Sequence, residues 1–71
     1  MYPNLDAEQA RRKLNNSETA SAIGLTRAAY ERKKKNGRFL AEECIGLCRL
    51  FNAPFEYLFS RDTETESNQS A

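Results

Sequence analysis

The hydrophobic positions of this chain recur at intervals of three or four residues, the spacing that keeps one face of a helix apolar. In the first stretch Asn4 is predicted to cap a helix, with Asp6 and Glu8 in the first turn, where carboxylates meet the positive end of the helix dipole. The basic residues 11–13 fall at the opposite end, which favours cations. The apolar face predicted for this helix consists of Leu5, Ala7, Ala10 and Leu14.

A second helix is predicted over residues 16–23. Asn15 precedes it as an N-cap, and Glu18, three positions later, is placed to bond back to the cap in a capping box. Gly24 ends this helix, because glycine readily takes the left-handed conformation of a C-terminal cap.

A third helix follows after a short turn. Thr26 is its predicted N-cap, the helix covers residues 27–34, and Asn36-Gly37 is a turn signal that ends it. Only residues 24–26 separate it from the helix at 16–23, so the two helices are expected to cross at a steep angle. Helix, glycine turn and helix in this order are the layout of the helix-turn-helix motif.

Two more helices complete the pattern. The fourth runs from Ala41 to Phe51, and Gly46 interrupts it without a reason in the sequence. Residues 52–54 break the chain, after which residues 55–59 are predicted to make one or two turns that close the core with aromatic rings. The apolar face of the fourth helix consists of Ala41, Cys44, Ile45, Cys48 and Phe51, widened by Leu40 and Leu47.

The chain of 71 residues has room for one small domain. Residues 1–60 are predicted to form an all-α, compact five-helix bundle. Residues 61–71, RDTETESNQSA, contain no apolar residue except the last and are predicted to be a disordered polar tail.

Charge and composition narrow the possible functions. The net charge is +1, but the first sixty residues carry ten basic and seven acidic side chains, a net of +3. The chain has no histidine and only two cysteines, which argues against an enzyme, a metal site or a disulfide framework. The residues suggest no cofactor and no small-molecule ligand.

The expected location is the cytoplasm. No apolar stretch is long enough to cross a membrane, and residues 1–13 lack the apolar region of a secretory signal, so no membrane partner is expected. In that setting Cys44 and Cys48 are expected to be reduced and to pack as core residues.

The third helix carries the most distinctive side chains of the chain. Tyr30 is expected to point inward, with Ala29 and Lys33 on the same side. Arginine can pair with O6 and N7 of guanine, glutamate can accept from the cytosine amino group, and alanine can contact the thymine methyl group, so the other side could read bases. The candidate base contacts there are Arg27, Ala28, Glu31 and Arg32. The candidate phosphate contacts are Asn16, Ser17, Lys34, Lys35, Asn36 and Arg38.

A charged helix face is more often simply solvated, and this alternative stays open. Glu31 can pair with Arg27 and with Lys35 at i, i+4 spacing without any partner molecule. The basic residues that follow the helix can equally form a solubilising loop.

The stretch NNSETASAIGLTRAAYERKKKNGRF and the following LAEECIGLCRLFNAPFEYLF resemble the lambda-repressor-like helix-turn-helix family, also called the Cro/repressor or xenobiotic-response-element type. The resemblance covers about residues 4–60. Its most specific elements are Ala20 four residues before Gly24, Leu25-Thr26-Arg27 at the start of the third helix, and the closing residues 50–59. The opening MYPNLDAEQARR looks like that of small one-domain members from phages, prophages and mobile elements.

The resemblance implies a small Cro-like transcriptional regulator, typically a repressor, without catalytic activity. It implies sequence-specific binding of double-stranded DNA by the third helix in the major groove, as a homodimer on a palindromic operator. Carried over by position, base contacts fall on Arg27, Ala28, Glu31 and Arg32, and phosphate contacts on Asn16, Ser17, Lys35 and Asn36. The chain departs from the family pattern at three positions: Asn16 stands where Gln is usual, Thr19 where Leu is common, and Lys33 where an aliphatic residue normally packs.

Two questions about partners stay open. Leu50, Phe55 and Phe59 could form a self-complementary patch for a dimer, or they could pack under the terminal turn. The same fold could also serve as a protein-interaction module, such as an antirepressor or an antitoxin whose acidic segment DTETE folds onto a partner. The net charge of +1 is modest for a DNA-binding protein and keeps this alternative open.

Overall fold

The computed structural model describes residues 1–61, which form five α-helices and no strand. The prediction of an all-helical bundle is confirmed for these residues. The predicted tail at 61–71 lies outside the described residues except for Arg61. The helices are α1 (Pro3–Arg11), α2 (Asn16–Ala22), α3 (Arg27–Asn36), α4 (Ala41–Phe51) and α5 (Phe55–Leu58).

Helices α2 and α3 begin where their sequence signals predict, but α2 ends one residue before its predicted bound and α3 ends two residues after its own, at Asn36. Asn15 Oδ1 accepts a hydrogen bond from the Glu18 N–H at 2.7 Å, and Glu18 Oε1 accepts one from the Asn15 N–H at 3.0 Å, which completes the capping box. Thr26 Oγ1 accepts a backbone N–H of the first turn of α3 at 3.1 Å. Gly24 and Gly37 follow the two helices in the left-handed conformation, at φ +76° and +75°.

The start of α1 differs from its prediction. The helix begins at Pro3, with Tyr2 as its flanking residue, and not after Asn4. Proline is favoured at the first helical position because the N–H that it lacks would have no partner inside the helix. The Asn4 side chain instead donates to the carbonyl oxygen of Tyr57 at 2.8 Å and ties α1 to α5.

The buried face of α1 is more polar than predicted. Ala7 and Ala10 are exposed, whereas Glu8 and Gln9 are buried. Glu8 accepts a hydrogen bond from the Tyr57 hydroxyl at 3.0 Å. Buried polar side chains are tolerated where such partners exist, and a pattern of hydrophobic positions cannot reveal the partners.

The buried face of α4 is rotated from the predicted one. Leu47 and Phe51 are fully buried, Cys44 and Cys48 are half-buried, and Ile45, predicted to be part of the core, is 52% exposed. With Glu43 one turn before Leu47 and Phe51 one turn after it, the buried face of α4 is centred on Leu47. The core consists of Tyr2, Leu5, Ala20, Tyr30, Leu47, Phe51, Leu58 and Phe59.

Gly46 lies where α4 approaches the end of α2. A Cβ atom added at this position would lie 3.0 Å from Cγ2 of Ile23, closer than side chains normally pack. The glycine therefore allows the two helices to approach closely. This close approach explains the presence of Gly46, for which the sequence alone gives no reason.

Alanine at Gly37 is expected to destabilise the protein more than alanine at Gly24. Both positions have positive φ, which costs a residue with a Cβ about 1–2 kcal/mol. At Gly37 the added Cβ would also lie 3.0 Å from the Tyr2 hydroxyl, whose ring is part of the core, whereas at Gly24 it meets no atom within 4 Å. Urea denaturation of the two variants measures the difference, and equal losses would show that Tyr2 yields without cost.

Candidate nucleic-acid interface

The α2–α3 unit is built around a tight turn. α2 makes its principal helix contact with α3. The Leu25 N–H reaches back to the Ala20 carbonyl oxygen at 2.9 Å, and the Gly24 N–H reaches Ser21 at 3.2 Å, the hydrogen-bond pair of a Schellman cap. The local chain geometry thus fixes where α3 starts relative to α2.

Tyr30 lies on the inner side of α3, as predicted. Its side chain is fully buried, and Ala29 beside it is half-buried. On the other side the Arg27 side chain is 68% exposed. The remaining exposed residues of α3 and its end are Ala28, Arg32, Lys35, Asn36 and Arg38.

The Glu31 carboxylate joins α3 to the start of α2. Its Oε2 atom accepts hydrogen bonds from Arg27 Nε at 2.9 Å and from Asn16 Nδ2 at 3.0 Å. The bond from Asn16, followed by that from Arg27, holds the pKa of Glu31 below its usual value. Three of the predicted contact residues are therefore linked to one another in the free protein.

Lys34 is placed differently from the other predicted phosphate contacts. Its side chain is only 17% exposed, and its ammonium group lies 2.6 Å from Asp6 Oδ1. The same group donates to Gln9 Oε1 at 3.2 Å and to Asn16 Oδ1 at 3.0 Å. Lys34 thus links α3 to α1 and α2.

A buried polar cluster under α3 was missed by the sequence analysis. The Tyr30 hydroxyl donates to Gln9 Oε1, and Gln9 Nε2 donates to Asn16 Oδ1 at 3.0 Å. Burial, with the charge of Asp6, raises the pKa of Tyr30 above its usual value. The Lys34 ammonium lies 5.2 Å from the centre of the Tyr30 ring. This cluster fixes the inner side of α3 with hydrogen bonds as well as apolar packing.

The remaining predicted phosphate contacts lie at the two ends of the α2–α3 unit. Ser17 is exposed at the start of α2 and lines a surface depression together with Asn16 and Arg27. Lys35 and Arg38 are exposed at the other end, and the Asn36 side chain accepts the Arg38 N–H at 2.9 Å. These exposed side chains flank the outward face of α3.

Lys33 makes an ion pair with Glu43. The Lys33 ammonium donates to both carboxylate oxygens, at 2.9 and 2.8 Å, and the Leu40 N–H donates to Oε1 at 2.9 Å. Burial raises the pKa of Glu43, but the hydrogen bonds from Lys33 and Leu40 outweigh burial and leave this pKa below its usual value. The pair joins α3 to the first turn of α4.

The residues predicted for a dimer contact are divided between core and surface. Phe59 belongs to the core, Leu50 is half-buried against it, and Phe55 is 57% exposed. Phe55 lines an open, largely apolar groove together with Ile45 and Pro54. Sequence reasoning missed Ile45 as a surface residue because it placed that side chain in the core.

No family model, curated protein or solved structure matches this chain. Within residues 1–61, no cluster of three side chains is suited to hold a metal ion, and no helix is long and apolar enough to span a membrane. Cys44 and Cys48 are free thiols, and burial raises the pKa of each. Raised pKa values make them poor nucleophiles at neutral pH.

Proposed function

We propose that this chain is a small sequence-specific regulator that binds double-stranded DNA with α3 in the major groove, of the lambda-repressor-like helix-turn-helix type. The observation that carries the proposal is the exposed arginine face of α3, directly after the capped turn from α2. An α-helix fits the width of the major groove, and arginine is the side chain that most often reads guanine there. Arg27, Arg32 and Ala28 are the proposed base contacts on this face.

The charge around α3 supports this proposal. Residues 27–38 contain six basic side chains and one acidic side chain. Lys33 and Lys34 are largely buried against carboxylates of other helices. Arg27, although paired with Glu31, is exposed, as are Arg32, Lys35 and Arg38. We propose phosphate contacts for Ser17, Asn16, Lys35, Asn36 and Arg38, and a positioning role for Lys34.

We propose that two copies bind one palindromic operator. One short α3 can contact only a few base pairs, and helix-turn-helix proteins gain site specificity from two half-sites about one helical turn apart. We propose that exposed Phe55, half-buried Leu50, and Ile45 in the same groove as Phe55 supply the apolar surface for the contact between copies.

A second candidate function is a protein-interaction module on the same fold. Ile45 and Phe55 are large apolar side chains that are more than half exposed, a feature of protein-binding surfaces. On this alternative the partner is a different protein, as for an antirepressor or antitoxin, and α3 is merely solvated.

Selection of bound duplexes from a random pool, followed by titration of the best sequence against salt, tests both candidates. A DNA-binding dimer should enrich an inverted repeat with half-site centres about 10 base pairs apart and give a steep negative slope of log K against log salt. Weak, salt-sensitive binding without an enriched sequence would favour the protein-interaction module.

Arg27→Ala and Lys35→Ala should separate base reading from phosphate binding. We expect Arg27→Ala to cost about 1–3 kcal/mol on the selected operator and to relax preference at one base pair. Lys35→Ala should weaken binding to all sequences alike and reduce the salt slope by about one unit. Identical losses from both variants, with unchanged salt slopes, would contradict the base-reading role of Arg27.

A further inference from the structure

Arg27 is held by one edge of its guanidinium group. Its Nε atom donates to Glu31 Oε2 at 2.9 Å, and within residues 1–61 the two terminal Nη atoms have no hydrogen-bond partner. The two Nη atoms form the planar fork that makes bidentate contacts to O6 and N7 of guanine. The contact with Glu31 therefore orients the arginine and leaves the fork free.

Glu31 is itself held from the neighbouring helix. A carboxylate paired only with an arginine one turn away on the same exposed face would be free to move. Here Asn16 Nδ2, at the start of α2, donates to the same Oε2 atom at 3.0 Å, and Asn16 Oδ1 is bonded in turn to Lys34 and Gln9. The position of the Glu31 carboxylate is therefore set by a hydrogen-bond network that involves α1, α2 and α3.

We propose that Glu31 is a positioning residue that holds the Arg27 fork toward the O6 and N7 edge of a guanine, and that Glu31 itself contacts no base. This inference rests on the proposed DNA-binding function. It replaces the expectation that Glu31 reads a cytosine amino group. The Oε2 atom already accepts two hydrogen bonds within the protein, and a base contact by Oε1, which accepts none within residues 1–61, would appear as a changed preference at a second base pair. The half-site is thus expected to contain a guanine opposite the first turn of α3.

The proposal and simple electrostatics predict opposite effects of removing Glu31. Loss of a negative charge near DNA should strengthen binding to every sequence, since phosphates attract net positive charge. Loss of the positioning contact should instead weaken the preference for guanine at the base pair that Arg27 reads. The two effects are separable, because one is measured on random DNA and the other as a ratio between two operators.

The test compares Glu31→Ala with Glu31→Gln on the selected operator and on a copy with the guanine replaced. Both variants remove the charge, so both should bind random DNA more tightly than the wild type. Glutamine keeps an oxygen that can accept from Arg27 Nε and should retain the discrimination. Glu31→Ala should lower the ratio of affinities for the two operators by about five- to 150-fold, the range that one bidentate contact provides. In an Arg27→Lys background, which lacks the fork, Glu31→Ala should cause no further loss.

The free protein gives a second readout. The Arg27 Nε–H resonance should be protected from exchange with water in the wild type and in Glu31→Gln, and unprotected in Glu31→Ala, with thermal unfolding confirming that each variant folds. Full guanine discrimination by Glu31→Ala, or a changed preference at a base pair different from the one altered by Arg27→Ala, would overturn the positioning role. Failure of the proposed function looks different, because the wild type would then select no sequence at all.

Discussion

Replacing Lys33 with methionine is expected to lower the free energy of unfolding by about 3 kcal/mol, because it leaves a nearly buried carboxylate without its counter-charge. The side chains of Lys33 and Glu43 are only 17% and 10% exposed, and the ammonium group donates to both carboxylate oxygens. Methionine resembles the lysine stem in length and flexibility, so the packing of the stem is largely kept. Urea denaturation gives the free energy directly.

Two further variants show whether the loss comes from the ion pair. Lys35 is exposed two positions along the same helix, and Lys35→Met should change stability by less than about 0.5 kcal/mol. The double variant Lys33→Met with Glu43→Gln removes both charges while keeping an acceptor for the Leu40 N–H, and it should recover most of the loss. A cost for Lys33→Met no larger than that for Lys35→Met would mean that the pair does not stabilise the fold.

The same pair predicts how stability depends on pH. Burial opposes ionisation of Glu43, but the bonds from Lys33 and Leu40 keep its pKa in the folded protein below its usual value. Because the folded pKa lies below the unfolded one of about 4.3, the contribution is fully present above that pH and is lost as the pH falls through the folded pKa. The loss of unfolding free energy on acidification should be smaller in Lys33→Met, which lacks the partner that lowers the pKa of Glu43.

The local signals in the sequence predict where α2 and α3 begin and which glycine follows each of them. Asn15 with Glu18, and Thr26, act through side chains three residues from the N–H groups that they bond, so chain spacing alone contains the information. The left-handed end of α1 shows the limit of such signals. Lys13 takes φ +57° there, although a lysine in this conformation has no signature in the sequence.

The polar contacts between helices could not be predicted from spacing. Lys33 forms an ion pair with Glu43, ten residues away in the chain, and Tyr30 donates a hydrogen bond to Gln9 of another helix. A lysine or a glutamine on the inner side of a helix indicates only that a polar partner is needed. The identity of the partner depends on how the helices come together, which chain spacing does not specify.

The sequence predicts the contacts of the candidate interface within one helix but not those between helices. The outward position of Arg27 and the inward position of Tyr30 follow from helical periodicity. The withdrawal of Lys34 toward Asp6 and the bond from Asn16 to Glu31 do not, because each joins different helices. Side chains that looked equivalent in sequence thus divide into exposed contacts and internal positioning groups.

Leu47→Ala is expected to lower the free energy of unfolding by about 3 kcal/mol, whereas Ile45→Ala should change it by less than about 0.5 kcal/mol. The pair of variants tests which face of α4 is buried. Leu47 is fully buried and Ile45 is 52% exposed, although the hydrophobic pattern places Ile45 in the core stripe. Removal of the buried leucine leaves a cavity as well as losing apolar contact, while the exposed isoleucine loses little.

Urea denaturation compares the two variants, and DNA binding gives an independent measurement. Leu47 belongs to the same core cluster as Tyr30, the inward residue of α3. The cavity left by Leu47→Ala should therefore weaken the packing of α3 against the core and lower the affinity for the operator. Ile45→Ala should keep the affinity of a single copy for its half-site while weakening the association of two copies, if the groove beside Phe55 is their contact. Equal stability losses in the two variants would place the buried face of α4 where the hydrophobic pattern predicts it.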